Sequence, residues 1–153
     1  MRALLDTTYL LPAIGISIKG LPGDALIKLL RGEHEVSISD ITIFELLAKG
    51  ARQVISGNLG EERVSRGVRA IVYDERIERI PIHDGLVQLT AFKLRRMLDD
   101  FIDCLILSSA VHRNDILVTE DLDIQKIMEK RDFKELLLTI NSRFEVQTAK
   151  GFI

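Results

Sequence analysis

Short apolar runs alternate along this chain with longer segments whose apolar residues recur at helical spacing. Runs of this kind are typical of strands that are buried on both faces of a sheet. We predict strands over residues 3–5, 36–38, 77–82 and 115–118, of which 36–38 and 77–82 alternate between apolar and polar residues, and a final strand near residues 144–146. Because strands alternate with helices throughout, the pattern predicts an α/β fold with a parallel sheet covered on both faces.

The helices are bounded by capping and turn residues. Ser39 or Asp40 is suited to cap the helix that follows the second strand, and Gly50 is expected to end it. Residues 61–74 carry an apolar stripe at helical spacing and arginines opposite it. Further helices are predicted over residues 24–30, 84–98, 101–112 and 122–130, and a short helical segment interrupted near Pro12 and Gly15 over residues 9–18.

Composition narrows the class of protein. A length of 153 residues favours one domain that spans residues 1–153. The 21 basic and 23 acidic residues give a net charge of −2, which argues against a generally basic nucleic-acid coat but allows a local basic patch. The single cysteine, Cys104, excludes an internal disulfide and a cysteine-based zinc site.

The apolar runs also bear on location. None approaches the roughly 18 residues of a membrane-spanning helix. Asp6 interrupts the first apolar run before the apolar part of a signal peptide can form. We therefore expect a cytoplasmic protein with no membrane association.

Two acids follow directly after predicted strands. Asp6 comes after the run 3–5 and is followed by Thr7 and Thr8, and Asp121 comes shortly after the run 115–118, two residues beyond Thr119. The carboxyl ends of parallel strands meet at the edge of the sheet where α/β proteins bind ligands. Either acid could instead be an ordinary helix cap, because Asp is a preferred capping residue.

Two further acids interrupt strongly apolar helices. Glu45 has apolar neighbours at most positions around it, and Asp103 precedes a long apolar run. A buried lone carboxylate is costly unless it is paired or bound to a metal. The alternatives are a narrow solvated strip for Glu45 and a favourable charge at a helix start for Asp103, although Asp99 and Asp100 could fill that second role.

Taken together, the four acids predict a divalent metal site. In a parallel sheet covered by helices, all four can face one crevice, where their carboxylates repel one another unless a cation intervenes. Ligands that are all oxygen atoms select a hard ion such as Mg²⁺ or Mn²⁺. The three histidines lie outside these segments, so a histidine zinc site is not expected.

With these segments in order, the chain resembles the PIN-domain family. The matching segments are Leu4–Leu5–Asp6–Thr7–Thr8, Ser39–x–x–Thr42–x–x–Glu45–Leu46, Asp103–Cys104–Leu105–Ile106–Leu107–Ser108–Ser109–Ala110 and Leu117–Val118–Thr119–Glu120–Asp121–Leu122–Asp123. The resemblance covers nearly the whole chain, although Cys104 and Leu105 stand where small residues are usual. It implies a Rossmann-like three-layer sandwich with a mainly parallel sheet. Stand-alone members of this size resemble VapC-type toxins of toxin–antitoxin pairs.

The resemblance also implies roles for individual residues. Asp6, Glu45 and Asp103 match the main acids of the family, and Asp121 matches the fourth, which Asp123 would assist or replace. The threonines that match the hydroxyl positions orienting metal or water are Thr7 and Thr119. The implied activity is a metal-dependent ribonuclease that binds one or two Mg²⁺ or Mn²⁺ ions and cleaves RNA phosphodiesters with metal-activated water.

Several alternatives stay open at this stage. Arg66, Arg95 and Arg96 are candidates for contacts with the RNA backbone, or simply lie on solvated helix faces. The chain could also be a PIN-like protein-binding module of an RNA-processing assembly, with a weak or inactive metal site. Apolar surface on the helices 41–49 and 61–73 would suit an antitoxin protein or a second copy in a homodimer. A P-loop and a G-x-G-x-x-G motif are both absent from the sequence.

Overall fold

A five-stranded parallel sheet forms the centre of the computed structural model, which describes residues 1–152. The strand order is β3-β2-β1-β4-β5, and every neighbouring pair is parallel. The strands are β1 (Arg2–Leu5), β2 (Glu35–Ser39), β3 (Ile77–Ile80), β4 (Ile116–Val118) and β5 (Glu145–Gln147). All five predicted strands are therefore present, and the predicted fold class is confirmed.

Helices connect the strands and cover the sheet. A 3-10 helix, Thr7–Ile14, follows β1 and includes Pro12. The α-helices are α1 (Ala25–Arg31), α2 (Asp40–Ile55), α3 (Glu61–Val72), α4 (Gly85–Leu94), α5 (Phe101–Arg113), α6 (Leu122–Ile127) and α7 (Arg131–Ile140), and a short 3-10 helix spans Ala149–Gly151. Among these described residues, no helix is long and apolar enough to span a membrane.

The side chains of β1 alternate between the two faces of the sheet, and each face carries one part of the hydrophobic core. Leu4 packs into the cluster built with α4, α5, α6 and α7, whereas Ala3 and Leu5 pack into the cluster built with the first 3-10 helix, α1, α2 and α3. Successive side chains of a strand point to opposite faces, so one short run contributes to both clusters. The result is the predicted three-layer arrangement.

The sequence predicts that α2 ends at Gly50, and this prediction is wrong. The helix continues to Ile55, and Gly50 is buried against α3. A methyl group at Gly50 would overlap the side chain of Val64. The glycine therefore permits close packing of two helices rather than marking a helix end.

Other boundaries also differ from the prediction. The helix predicted over residues 84–98 ends at Leu94, and the one predicted over 122–130 ends at Ile127. Strand β3 stops at Ile80, one residue before Pro81, because proline cannot donate to the sheet ladder.

The apolar stripe of α3 is part of the core rather than a free surface. Val64, Val68 and Ile71 are buried in the cluster that includes the first 3-10 helix. Helix α3 therefore offers a partner little apolar surface besides Tyr73, which contradicts the expectation for residues 61–73. Large exposed apolar side chains instead lie on α2, at Phe44 and Leu47, and on α4.

Candidate active site

Asp6 is held at the carboxyl end of the sheet by the two neighbouring central strands. Its backbone N–H donates to the carbonyl of Val118 at 3.0 Å, which extends the pairing of β1 with β4 by one residue. The hydroxyl of Thr119 donates to Asp6 Oδ2 at 2.6 Å, and the Thr7 backbone N–H donates to Oδ1 at 2.8 Å. The carboxyl group is buried but has a donor on each oxygen.

Glu45 reaches the same edge from α2. Ser39 caps this helix at the end of β2, which lies beside β1, so the first turns of α2 start next to Asp6. The Thr7 hydroxyl donates to Glu45 Oε1 at 2.5 Å and lies 3.4 Å from the Thr42 hydroxyl. Thr7 thus connects the strand end to the helix that carries the glutamate.

Asp103 lies in the first turn of α5. Asp100 caps that helix by accepting a hydrogen bond from the Ile102 N–H at 2.9 Å, which leaves Asp103 free of the capping role. Within residues 1–152, no hydrogen bond to the Asp103 carboxyl group is present. Its burial is partial, and the carboxyl group faces the other acids.

Asp121 caps α6 and also faces the acid cluster. Its Oδ1 accepts hydrogen bonds from the N–H groups of Asp123 at 2.8 Å and Ile124 at 3.1 Å. The expected capping role is therefore real, but it occupies only one of the two oxygens. Asp123 is exposed and faces an adjoining pocket that it shares with Asp103 and Asp121.

A pocket of about 530 Å³ joins these side chains, and we call it the acid pocket. It is lined by Asp6, Thr7, Thr8, Phe44, Glu45, Ala48, Lys49, Arg52, Asp100, Ile102, Asp103, Glu120 and Asp121. Thr119 lies buried behind Asp6. Lys49 and Arg52 are not among the predicted site residues, although they follow Glu45 at spacings of four and seven on one helix face.

The family model of the PIN domain matches residues 3–130. The chain belongs to the PIN-domain family. Members of this family are generally nucleases. Among solved structures, the crystal structure of VapBC2 from Rickettsia felis bound to a DNA fragment from their promoter is similar, with a TM-score of 0.58 and 18% sequence identity. The similarity covers 97% of this chain and 98% of the other. No curated protein sequence matches this chain significantly.

Burial and mutual repulsion act on the acids of this PIN domain. Burial is the main cause that raises the pKa of Asp6 and of Glu45 above their ordinary values, and hydrogen bonds from the threonines oppose it. The pKa of Asp103 is raised to about 7, first by burial and then by the negative charges of Asp100 and Asp121. A cation among these groups would favour their ionised forms.

The PIN domain's acid pocket has the donors of a divalent metal site without a closed cage. Among residues 1–152, no three His, Cys, Asp or Glu side chains converge closely enough to hold one ion. The donor set nonetheless fits Mg²⁺ or Mn²⁺, because the candidate ligands are all carboxylates, four lining this pocket and Asp123 in the adjoining one. Asp103, which lacks a hydrogen-bond donor, is the group that a cation would satisfy most directly.

The predicted arginines lie away from the acid pocket. Arg66 is exposed on α3, and Arg96 is exposed just beyond α4. Arg95 donates to the Leu98 carbonyl at 3.2 Å and lies 3.8 Å from Asp99. None of the three lines this pocket, whose cationic lining residues are Lys49 and Arg52.

Proposed function

We propose that this PIN domain is an Mg²⁺- or Mn²⁺-dependent endoribonuclease that hydrolyses RNA phosphodiesters. The observation that carries the proposal is the meeting of Asp6, Glu45, Asp103 and Asp121 around one pocket at the carboxyl edge of a parallel sheet. Acids brought together at such energetic cost are typical of functional sites. Membership of a family of nucleases supports the same reading.

The acids would hold the ion, and the threonines would hold the acids. Asp6, Glu45 and Asp103 are the main proposed ligands, with Asp121 as the fourth, and Asp123 is better placed to act from the adjoining pocket. Thr7 and Thr119 position Glu45 and Asp6 by donating hydrogen bonds to their carboxyl groups. A bound divalent ion supplies Lewis acidity, which lowers the pKa of water and neutralises charge that builds on the phosphate.

Substrate binding also requires positive charge, because an acid-lined pocket repels phosphate. Lys49 and Arg52 follow Glu45 along α2 and line the same pocket. We propose that they contact the phosphate that is cleaved, or its neighbour along the strand. Arg66, Arg95 and Arg96 would then act only on more distant parts of an RNA.

We further propose that the chain is the toxin of a toxin–antitoxin pair. The similar Rickettsia felis structure is a VapBC2 assembly, and its fold agrees with this chain over almost the full length of both. The proposed partner is an antitoxin protein that blocks the acid pocket. Co-expression with a candidate antitoxin protein, followed by purification, tests for a stable complex that suppresses RNA cleavage.

A homodimer is proposed on the exposed face of α4. Leu86, Leu89 and Phe92 are each about 60% exposed there, and Phe101 stacks on Phe92 with 5.8 Å between ring centres. Such an apolar surface is unfavourable in water and suits a second copy of the chain. Light scattering is expected to give the mass of a dimer, and Leu89→Lys the mass of a monomer; a monomeric native chain would contradict this.

One observation favours a second candidate, a protein-binding module with a weak or inactive metal site. The acids do not converge on one ion position in the described part of the chain. Calorimetric titration with Mn²⁺ separates the two candidates. The nuclease requires saturable binding that Asp103→Asn weakens, whereas the binding module predicts little or no heat of binding.

The test of the main proposal is cleavage of labelled single-stranded RNAs with Mg²⁺, Mn²⁺ or EDTA. Metal-dependent cleavage is expected for the native chain, and its loss for Asp6→Asn and Asp103→Asn. Asp132→Asn is a matched control, because Asp132 is exposed on α7 and lines none of the pockets described above. A DNA panel of the same sequences establishes the preference for RNA. Absence of cleavage with every metal would contradict the proposal.

A further inference from the structure

A second groove continues directly from the acid pocket. It has a volume of about 580 Å³, within the range of about 300–1,000 Å³ typical of ligand sites. Thr8 and Glu120 line both the groove and the acid pocket, so the two spaces are neighbours. The remaining lining residues are Ile18, Lys19, Gly20, Leu21, Pro22, Ala149 and Lys150. We call this space the lysine groove.

Hydrogen bonds fix the wall between the two spaces. Glu120 accepts a hydrogen bond from the Tyr9 hydroxyl at 2.7 Å and another from the Ala149 N–H at 3.1 Å. These residues follow β4, β1 and β5 respectively, so three separate strand ends meet at this wall. Tyr9 is buried, which anchors the contact in the core. Both bonds go to Oε1 of Glu120, so its second oxygen stays exposed at the wall between the two spaces.

The chemistry of the lysine groove differs from that of the acid pocket. Ile18, Leu21 and Pro22 provide apolar surface on one side. Lys19 and Lys150 are exposed at the groove, and neither forms an ion pair within residues 1–152. Apolar surface flanked by free cations complements a nucleotide of a single strand. Its base packs on the apolar surface, and the phosphates on its two sides contact the lysines.

We propose that the lysine groove binds the nucleotide of a single-stranded RNA that lies next to the cleaved phosphate. The inference rests on the proposed nuclease function and extends it. Continuity with the acid pocket sets the position, and the lysines supply charge that the acid pocket mostly lacks. A duplex would not fit this role, because its bases face each other and are not available to an apolar wall.

The test measures binding, in a chain that cannot cleave. Fluorescence anisotropy with a labelled single-stranded RNA and Mg²⁺ is applied to Asp103→Asn, with and without Lys19→Gln and Lys150→Gln. The double lysine change is expected to weaken affinity about tenfold and to reduce the slope of log K against log salt by about 1.4, which corresponds to two phosphate contacts on a single strand. Lys19→Arg with Lys150→Arg is expected to retain affinity and slope.

Lys134→Gln is the matched control, because Lys134 is an exposed lysine of α7 away from every pocket described here. It is expected to leave affinity and slope unchanged. Leu21→Ser is expected to weaken affinity without changing the slope, because it removes apolar surface from the groove and no charge. Equal affinity and slope with and without the two lysines would overturn the inference, and would leave the groove to a protein partner.

Cleavage measured in parallel separates this inference from the function on which it rests. If the native chain cleaves RNA and the lysine variants bind as tightly as their parent, the nuclease stands and the groove assignment falls. If the native chain neither cleaves nor binds RNA, the nuclease proposal falls, and the groove assignment falls with it. In the expected case, the lysine changes raise the half-saturating enzyme concentration in single-turnover cleavage and leave the maximal rate unchanged.

Discussion

The hydroxyl of Thr119 lies 2.6 Å from Asp6 Oδ2, and it joins the ends of the two central strands across the floor of the acid pocket. The same hydroxyl accepts a hydrogen bond from the Asp121 N–H at 3.0 Å. One buried side chain therefore holds Asp6 directly and orients the backbone that carries Asp121. Because both bonds depend on a single oxygen atom, removing it tests how far the site depends on its geometry.

Thr119→Val is expected to weaken both stability and activity. The change keeps the side-chain shape but leaves the buried Asp6 oxygen without a donor, which costs about 1–3 kcal/mol in free energy of unfolding. Urea unfolding measures that cost, and RNA cleavage with Mg²⁺ measures the loss of rate. Thr119→Ser keeps the hydroxyl and is the control, so equal rates for the valine and serine variants would contradict the positioning role.

Asp103→Asn is expected to stabilise the metal-free protein above neutral pH. The pKa of Asp103 is about 7 in the folded chain, against 3.8 for a free aspartate. The protonated carboxyl therefore contributes stability that is complete below about pH 4 and is lost as pH rises through about 7. Asparagine does not titrate, so the free energy of unfolding of the variant should rise relative to that of the native chain across that range. The difference should be about 2 kcal/mol, less than the full pKa shift implies, because solvent partly screens this half-exposed group.

Thermal unfolding in EDTA at a series of pH values measures this difference. The informative quantity is the stability of the variant minus that of the native chain, since other groups titrate in both. Asp132→Asn, which removes a carboxyl group from an exposed helix surface, is the control. A difference for Asp103→Asn that does not depend on pH would show that burial and repulsion do not act on its carboxyl group.

Divalent metal affinity is expected to increase as pH rises through about 7. Ligand carboxylates bind the ion in their ionised form, and burial with neighbouring charges makes ionisation of Asp103 unfavourable near neutrality. Calorimetric titration with Mn²⁺ in two buffers of different ionisation enthalpy should show proton release on binding near pH 6 and little near pH 8. Proton release that is the same at both pH values would contradict this.

Gly67→Ala is expected to be strongly destabilising, by about 3 kcal/mol or more. Gly67 is buried in α3, where an added methyl group would overlap the backbone of Ala13 and Ile14 in the first 3-10 helix. Gly85→Ala is the matched control, because nothing lies within 4 Å of a methyl group there and alanine favours the helix. Urea unfolding of both variants checks the prediction, and similar stabilities would contradict the close packing.

The sequence alone predicted the layers of the fold and the four acids that meet. Alternation of short apolar runs with amphipathic helices predicts a parallel sheet, because both faces of an apolar strand must be shielded from water by helices. Asp6 and Asp121 were predictable because parallel strands end at one edge of the sheet. Glu45 and Asp103 were predictable because a carboxylate buried in an apolar helix is costly unless it is paired or bound to a metal. The structure brings these four around one pocket.

Tertiary structure alone decided which cations and which surfaces accompany the acids. Gly50 appeared locally to end a helix, yet it packs against Val64 of α3 and α2 continues past Arg52, which lines the acid pocket. The apolar stripe of α3 is buried in the core, whereas apolar side chains of α4 are exposed to solvent. Lys19 and Lys150, which are far apart in sequence, meet at one groove. Such outcomes depend on which elements touch, and local periodicity carries no information about contacts between distant segments.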